Sequence, residues 1–290
     1  MGVIPAAQDA FSAGESAVFL QEQVQDHAQR FAERLAVPLL DASTCAKDLE
    51  PGHAVIQFKG KVPAIQLTGR DVPGAVTVDF ADKSMANRRR SGHNELLGKA
   101  VGWKQAHAPS VLDATGGFGR DAFLLADLGC RVDVCERNSA MALLFEDALA
   151  RAAASEDSWL TSVVERMNLH HQDAQTLNFS VLEAVEVIYL DPMFPLDRRA
   201  APAKEMQVLH QLLATQTPEP LPPGGEKRGV GENGGLAREA YDSALLAWAR
   251  AQEVRRVVVK RPRRAPEIGG PSPGHSLSGK SVRFDVYPVS

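Results

Sequence analysis

The run Ile188-Tyr189-Leu190-Asp191-Pro192-Met193-Phe194-Pro195 closes an apolar stretch with a carboxylate, a rigidly held carbonyl and an aromatic ring. That trio suits an exocyclic amino group on a planar base. Such an amine is a weak nucleophile because its lone pair is delocalised into the ring. The Asp191 carboxylate and the carbonyl at Pro192 can accept its two N–H bonds, which favours a more pyramidal nitrogen. Proline fixes its own φ and has no N–H, so this acceptor geometry is stiff. Phe194 can stack on the base face, a contact worth roughly 1–3 kcal/mol. Asp191, Pro192 and Phe194 are therefore the expected catalytic residues. The bland alternative is a turn after a strand, with Phe194 in the core.

Upstream, Val111-Leu112-Asp113-Ala114-Thr115-Gly116-Gly117-Phe118-Gly119-Arg120-Asp121 reads as a strand, a glycine turn and a helix start. With Ala122 the spacing also satisfies the dinucleotide fingerprint, and Glu136 closes the next strand as the expected ribose acceptor. Spacing alone therefore leaves a nicotinamide enzyme open. Three features favour S-adenosylmethionine (SAM). Asp113 offers a carboxylate where the cofactor carries amino and sulfonium charge. Arg120 and Asp121 replace the apolar helix opening typical of pyrophosphate docking. Asp173, just after a third strand, can accept from an adenine amine, with the Ala174 N–H available to the ring. A nucleotide-like cofactor beside an amine-holding strand end points to methyl transfer onto a nucleobase nitrogen.

The elements that must carry these residues alternate. From residue 110, strands at 111–113, 131–136, 167–170, 185–191 and 256–260 are interleaved with helices at 121–128, 140–154, 204–213 and 239–251. Such alternation predicts a parallel sheet covered on both faces by helices. Residues 283–287 alternate like a closing edge strand that can run antiparallel. In front lie a helix over 15–35, short strands at 54–58, 65–67 and 76–80, and a bridging helix over 95–103. The expected division is an α+β region over 1–105 and a sheet domain over 106–290. Residues 217–235, rich in Pro, Gly and charge, read as a flexible insertion, and 269–279 as a second loop.

Composition sets outer bounds. Hydrophobic residues make up 44% of the 290 and charged residues 23%, which is ordinary for a globular chain. No apolar run approaches membrane-spanning length, and residues 1–17 lack a signal-peptide pattern. Cys45, Cys130 and Cys135 are odd in number and without metal-ligand spacing, and the eight histidines form no ligand set, so no metal is expected. A cytoplasmic location follows as the expectation. The net charge of −4 excludes a chain basic all round, not a basic face. Two clusters offer one: Arg88-Arg89-Arg90, and the run Arg255, Arg256, Lys260, Arg261, Arg263, Arg264. Arg88, Arg89, Arg90, Lys260 and Arg261 are the candidates for an RNA backbone, against the simpler reading of a solvated surface.

Several of these segments resemble one family. Residues 113–123, 129–132 with Glu136-Arg137-Asn138, 189–195, Lys204-Glu205-Met206, Val257-Val258-Val259-Lys260-Arg261-Pro262 and 283–287 are similar to RsmJ, the small-subunit (16S) ribosomal RNA guanine-N2 methyltransferases. The resemblance covers about 76–287. It implies a class I (Rossmann-like) SAM-dependent methyltransferase acting on one guanine near the 3′ end of that RNA. Carried over residue by residue, the cofactor contacts fall on Arg120, Asp121, Glu136, Arg137, Asp173, Ala174 and Asp191. With the turn residues Asp113, Gly117 and Gly119 they make the expected cofactor site. The resemblance also implies the ribosomal RNA, free or in its subunit, as partner, with no membrane and no obligate protein partner. Ser91 to Glu95 depart from the family's glycine-rich stretch, and the 217–235 insertion is longer than the family's. Two other readings stay open on the residues alone: adenine N6 as acceptor, or a non-catalytic RNA-binding factor on the same fold.

Overall fold

The computed structural model describes residues 1–5, 15–83, 85, 87, 93–193, 207, 208, 212 and 232–289. The chain divides into two units. The first is Met1–Val78 with Leu143–Asp147 and Leu196–Thr217; the second is Asp79–Ala142 with Ala148–Pro195 and Pro218–Ser290. Residues 79–105, grouped with the N-terminal region on sequence, are thus counted in the second unit.

In the first unit, helix α1 (Glu15–Leu35) places Val24, Ala28, Phe31 and Ala32 at three- and four-residue intervals. All four are buried, as one face of an amphipathic helix should be. A sheet in the order β1 (Gly2–Ile4), β2 (Ala54–Lys59), β3 (Val62–Leu67) and β4 (Val76–Thr77) completes this unit. The first pair is parallel and the others antiparallel. The Phe58 ring on β2 lies 5.5 Å from that of Phe31 and 5.0 Å from that of His27. Strand β1 escaped the sequence reading because three residues are too few to show a period.

The second unit carries the predicted alternation. Strands β5 (Val111–Asp113), β6 (Val132–Cys135), β7 (Met167–His170), β8 (Val187–Leu190), β9 (Arg256–Pro262), β10 (His275–Ser278) and β11 (Val282–Pro288) form one sheet. Its order is β10-β11-β9-β8-β5-β6-β7. The five strands from β9 to β7 pair in parallel, and β11 and β10 each pair antiparallel to their neighbour. Helices α2 (His93–Val101), α3 (Arg120–Asp127), α4 (Ser139–Ala153), α5 (Ser158–Val164), α6 (Phe179–Leu182) and α7 (Glu232–Arg250) accompany it.

The register decides which side chains can meet. Leu112, Ile188, Leu190, Val257 and Val259 share one core with Leu245, Leu246 and Ala249 of α7. Side chains alternate along a strand, so Asp113, Tyr189 and Val258 belong to the opposite face. The pairings Asp113↔Tyr189 and Tyr189↔Val258 align all three. Two residues further on, the same alternation brings Asp191 and Lys260 onto that face. Strand β5 has β6 on one side and β8 on the other. The strand order reverses there, and in open parallel sheets such a switch point is where ligands bind, at the carboxyl ends of the strands.

Four local expectations are corrected. The loop read over 269–279 contains β10, an exposed edge strand with no apolar alternation, held by its ladder to β11 and by Ser276 Oγ donating to Asp285 Oδ1 at 2.6 Å. Helix α5 had no sequence counterpart; Asp157 caps it by accepting from the N–H groups of Trp159 and Leu160. Helix α7 starts at Glu232 rather than 239, through a first turn containing Gly234 and Gly235 that lacks the apolar period of a helix. The strand expected over 76–80 stops at Thr77. Of the helix expected over 204–213, only Gln207, Val208 and Leu212 are described, each helical. Residues 217–231 of the expected insertion lie outside the described residues.

Candidate active site

The glycine turn leaves β5 and is tied at once to the end of β8. Ala114 N donates to the Tyr189 carbonyl at 3.0 Å. Thr115 donates from its amide and its hydroxyl to Asp113 Oδ1, at 3.0 and 3.2 Å. The same Thr115 hydroxyl accepts the Asp191 N–H at 2.7 Å. One oxygen therefore fixes the backbone at the residue expected to hold the acceptor amine. Pro192 is buried and Asp191 half-buried. Phe194 lies outside the described residues, as do Arg88, Arg89 and Arg90.

A cation sits among the acids on this face of the sheet. Lys260 Nζ is 2.5 Å from Asp121 Oδ2 and 2.8 Å from Asp191 Oδ2. Tyr189 donates its hydroxyl to the same Asp121 oxygen at 2.6 Å. Burial opposes the charge on Lys260, but the carboxylates of Asp191 and Asp121 outweigh it and hold the ammonium above its ordinary range. Asp113 is 3% exposed. Burial, partly offset by the Thr115 hydrogen bond and reinforced by the negative Asp121 and Asp191, pushes its carboxyl up to about 7. The sequence placed Lys260 and Arg261 on an RNA backbone; their surroundings are different. Lys260 is engaged by two site carboxylates, and Arg261, on the alternate face, is 6% exposed and donates to the Pro266 carbonyl.

The cofactor half is built on β6. Glu136 follows its last residue, and its Oε2 and Oε1 accept from Gly117 N and Asn138 N, each at 2.7 Å. Burial raises this carboxyl's pKa, and the two backbone donors work against that rise. Gly116 allows the turn to press on β6, because a Cβ there would stand 2.7 Å from Val134 Cγ1 and 3.0 Å from the Cys135 oxygen. Above Gly117 the space is open: at φ +53 an added Cβ would meet nothing nearer than the Thr115 oxygen at 3.7 Å. Gly119 precedes α3 as its N-cap, and Arg120 opens that helix with its guanidinium 5.8 Å from the Phe118 ring.

Asp173 and Ala174 start a short 3-10 turn after β7. Asp173 Oδ1 accepts from Gln175 N at 2.9 Å, and Oδ2 accepts from the Tyr241 hydroxyl at 2.9 Å. The Arg137 guanidinium lies 3.9 Å from the centre of the Tyr241 ring and 3.7 Å from Asp173 Oδ2. A cation over an aromatic face is an attractive contact. Tyr241, on α7, and Thr115 are the residues that sequence reasoning missed. Their roles depend on through-space meetings that no local spacing encodes.

The described residues expected to hold the cofactor thus stand at or just beyond the carboxyl ends of β5, β6, β7 and β8. Carboxylates dominate: Asp113, Asp121, Glu136, Asp173 and Asp191. That set of acceptors fits a ligand with a positive sulfonium, an amino group and ribose hydroxyls, and it opposes a pyrophosphate. The open space over Gly117 and the carboxylate beneath it give such a ligand room and an anchor.

Comparison with known proteins gives the same picture. Residues 48–219 and 236–289 match the SAM-dependent methyltransferase family model SAM_MT. The ribosomal RNA small subunit methyltransferase J of Pseudomonas syringae pv. tomato is 40% identical over 268 residues, 91% of this chain and 87% of that protein. Its namesake from Pseudomonas aeruginosa UCBPP-PA14 is 40% identical over 273 residues, 93% of this chain and 92% of that protein. Among solved structures, a SAM-dependent methyltransferase from Neisseria gonorrhoeae matches with TM-score 0.63 and 28% identity, over 100% of this chain and 96% of that one. The sheet is that of the class I methyltransferases, as expected.

Proposed function

Because the chain belongs to the ribosomal RNA small subunit methyltransferase J family of SAM-dependent methyltransferases, we propose that it methylates the exocyclic N2 of one guanine in 16S ribosomal RNA. The observation that carries this reading is the placement of Asp191. It stands at the end of β8 at the switch point, with its amide on Thr115 and its carboxylate on Lys260, beside the turn that fits the cofactor.

When bound, SAM supplies an electrophilic methyl carbon on a positively charged sulfur and leaves as a neutral thioether. The chain's residues do the remaining work by positioning and electrostatics. Asp191 and the Pro192 carbonyl accept the two N–H bonds of guanine N2 and aim its lone pair. With SAM bound, methylation would leave the acceptor nitrogen positively charged, and the Asp191 carboxylate would take the proton that nitrogen loses. Phe194 stacks on the base. Glu136 holds the ribose, and Asp173 with the Ala174 N–H holds the adenine. Asp113, Gly117, Gly119, Arg120, Asp121 and Arg137 line the rest. The target base must leave its stack to reach this site. Arg88, Arg89 and Arg90 are the proposed phosphate contacts. Among the described residues no helix is long and apolar enough to cross a membrane.

The test is a map of small-subunit RNA from a strain lacking the gene, treated with purified protein and SAM. Mass spectrometry should find one new N2-methylguanine, absent with Asp191→Ala. A methyl on adenine N6 would overturn the base assignment. RNA bound without any methyl gained would make the protein a binding factor. Treating free RNA and intact subunits side by side identifies the physical substrate.

A further inference from the structure

Lys260 has no part in the amine-holding scheme, and its surroundings are not those of a phosphate contact. Its side chain is 21% exposed and points at two carboxylates carried by different elements, Asp121 on α3 and Asp191 after β8. We propose that Lys260 is a positioning residue for methyl transfer: its ammonium, anchored on α3 through Asp121, fixes the direction and the negative charge of the Asp191 carboxylate that receives the acceptor amine. The inference rests on the reading of Asp191 given above.

The geometry supports it in three ways. A charge-assisted hydrogen bond is short and strong, so 2.8 Å from Nζ to Asp191 Oδ2 defines where that oxygen points. The anchor is itself held, since the Tyr189 hydroxyl and Lys260 both donate to Asp121 Oδ2, at 2.6 and 2.5 Å. The local charge also needs a cation. Asp113 from β5, Asp121 from α3 and Asp191 after β8 face one another, with the Tyr189 phenol from β8 and Lys260 from β9 among them. Without the ammonium, crowded acids would favour a protonated carboxyl, and a protonated Asp191 cannot accept two roles at once as hydrogen-bond partner and proton sink. A lysine suits the place better than an arginine. It offers separate donors to two carboxylates on different elements, whereas a guanidinium fork is matched to one.

The experiment measures kcat and KM for unmodified small-subunit RNA across the acidic and neutral range, using full-length wild-type, Lys260→Met, Lys260→Arg and Asp191→Ala proteins. Lys260→Met should lower kcat by about 10- to 100-fold, leave KM for RNA within about twofold, and move the acidic limb of the profile to higher pH. Lys260→Arg restores the charge and should return that limb to its wild-type position, with kcat only partly recovered. An acidic limb unmoved in Lys260→Met, or a raised KM for RNA at unchanged kcat, overturns the proposal; the second result would put Lys260 back on the RNA. If Lys260→Met does not fold, a displaced limb in Lys260→Arg overturns it and a wild-type limb with lowered kcat supports it. Asp191→Ala, which removes the side-chain acceptor altogether, separates the two layers. Turnover in that variant removes the amine-acceptor reading itself, while its loss together with an unmoved Lys260→Met profile removes only the positioning role.

Discussion

Tyr241 and Asp173, 68 residues apart, meet through a 2.9 Å hydrogen bond that joins helix α7 to the turn after β7. The hydroxyl donates to one carboxylate oxygen, and the ring carries the Arg137 guanidinium at 3.9 Å. Two proposed cofactor-site residues, Asp173 and Arg137, are thus held by a third that the sequence did not mark.

Tyr241→Phe removes that hydrogen bond and keeps the ring. Affinity for S-adenosylhomocysteine, measured by calorimetry, should fall by roughly 1 kcal/mol, the net worth of one such bond. Tyr241→Ala also removes the surface under Arg137 and should cost more. Equal affinity in all three proteins would show that Asp173 needs no support from α7.

Thr115→Val keeps the shape of the side chain and deletes the oxygen shared by Asp113 and Asp191. The half-buried amide at 191 loses this hydrogen bond, a loss of about 1 kcal/mol in stability by denaturant titration. The kcat for methyl transfer should fall about 10- to 100-fold, because the amine-holding residue loses its backbone anchor. A stability loss with kcat unchanged would confine Thr115 to the fold.

Gly116→Ala drives a Cβ to 2.7 Å from Val134 Cγ1 and 3.0 Å from the Cys135 oxygen. One of those neighbours is backbone and cannot turn aside. Overpacking of this kind costs about 1–3 kcal/mol. Thermal melts with and without S-adenosylhomocysteine should show a lower Tm and a smaller ligand-induced rise, since the turn that loses its seat on β6 is the turn facing the cofactor.

Asp113 gives a pH prediction with a definite sign. Burial, the first cause, lifts its carboxyl from 3.8 to about 7 in the folded protein. The folded state therefore binds a proton that the unfolded state releases, and stability from this group falls as pH rises between those values. It is fully present below the lower value and gone above the upper one. Asp113→Asn should flatten that descent in urea titrations at successive pH values. A variant whose stability falls as steeply as the wild type over the same window would mean that the carboxyl is already ionised in the fold.

What could be read from the residues was what lies along the chain. The glycine turn, Glu136 at the end of β6 and Asp191 at the end of β8 were legible because chemistry and strand period coincide at those points. The parallel core was legible for the same reason: Val257, Val258 and Val259 are buried on both faces and read as a continuous run. The carboxylate partners of Lys260 were not legible, because it stands in a basic stretch. Residues 260 and 261 look alike as neighbours on paper, but a strand sends them to opposite faces, one among carboxylates and one into a carbonyl contact. Strand β10 was illegible because its residues are exposed or half-exposed and owe their conformation to hydrogen bonds with β11. Thr115 and Tyr241 could not be found at all without the register of the sheet.

The double use of the Thr115 hydroxyl has a consequence for anyone wishing to retarget this enzyme. Because that oxygen accepts the amide of Asp191 while donating to Asp113, the span from β8 to its terminal acid has a fixed length. Inserting or deleting a residue there would pull the amine-gripping end away from the cofactor end. On the proposed reading of Asp191, a change of base preference is compatible only with substitutions that keep the length of this span.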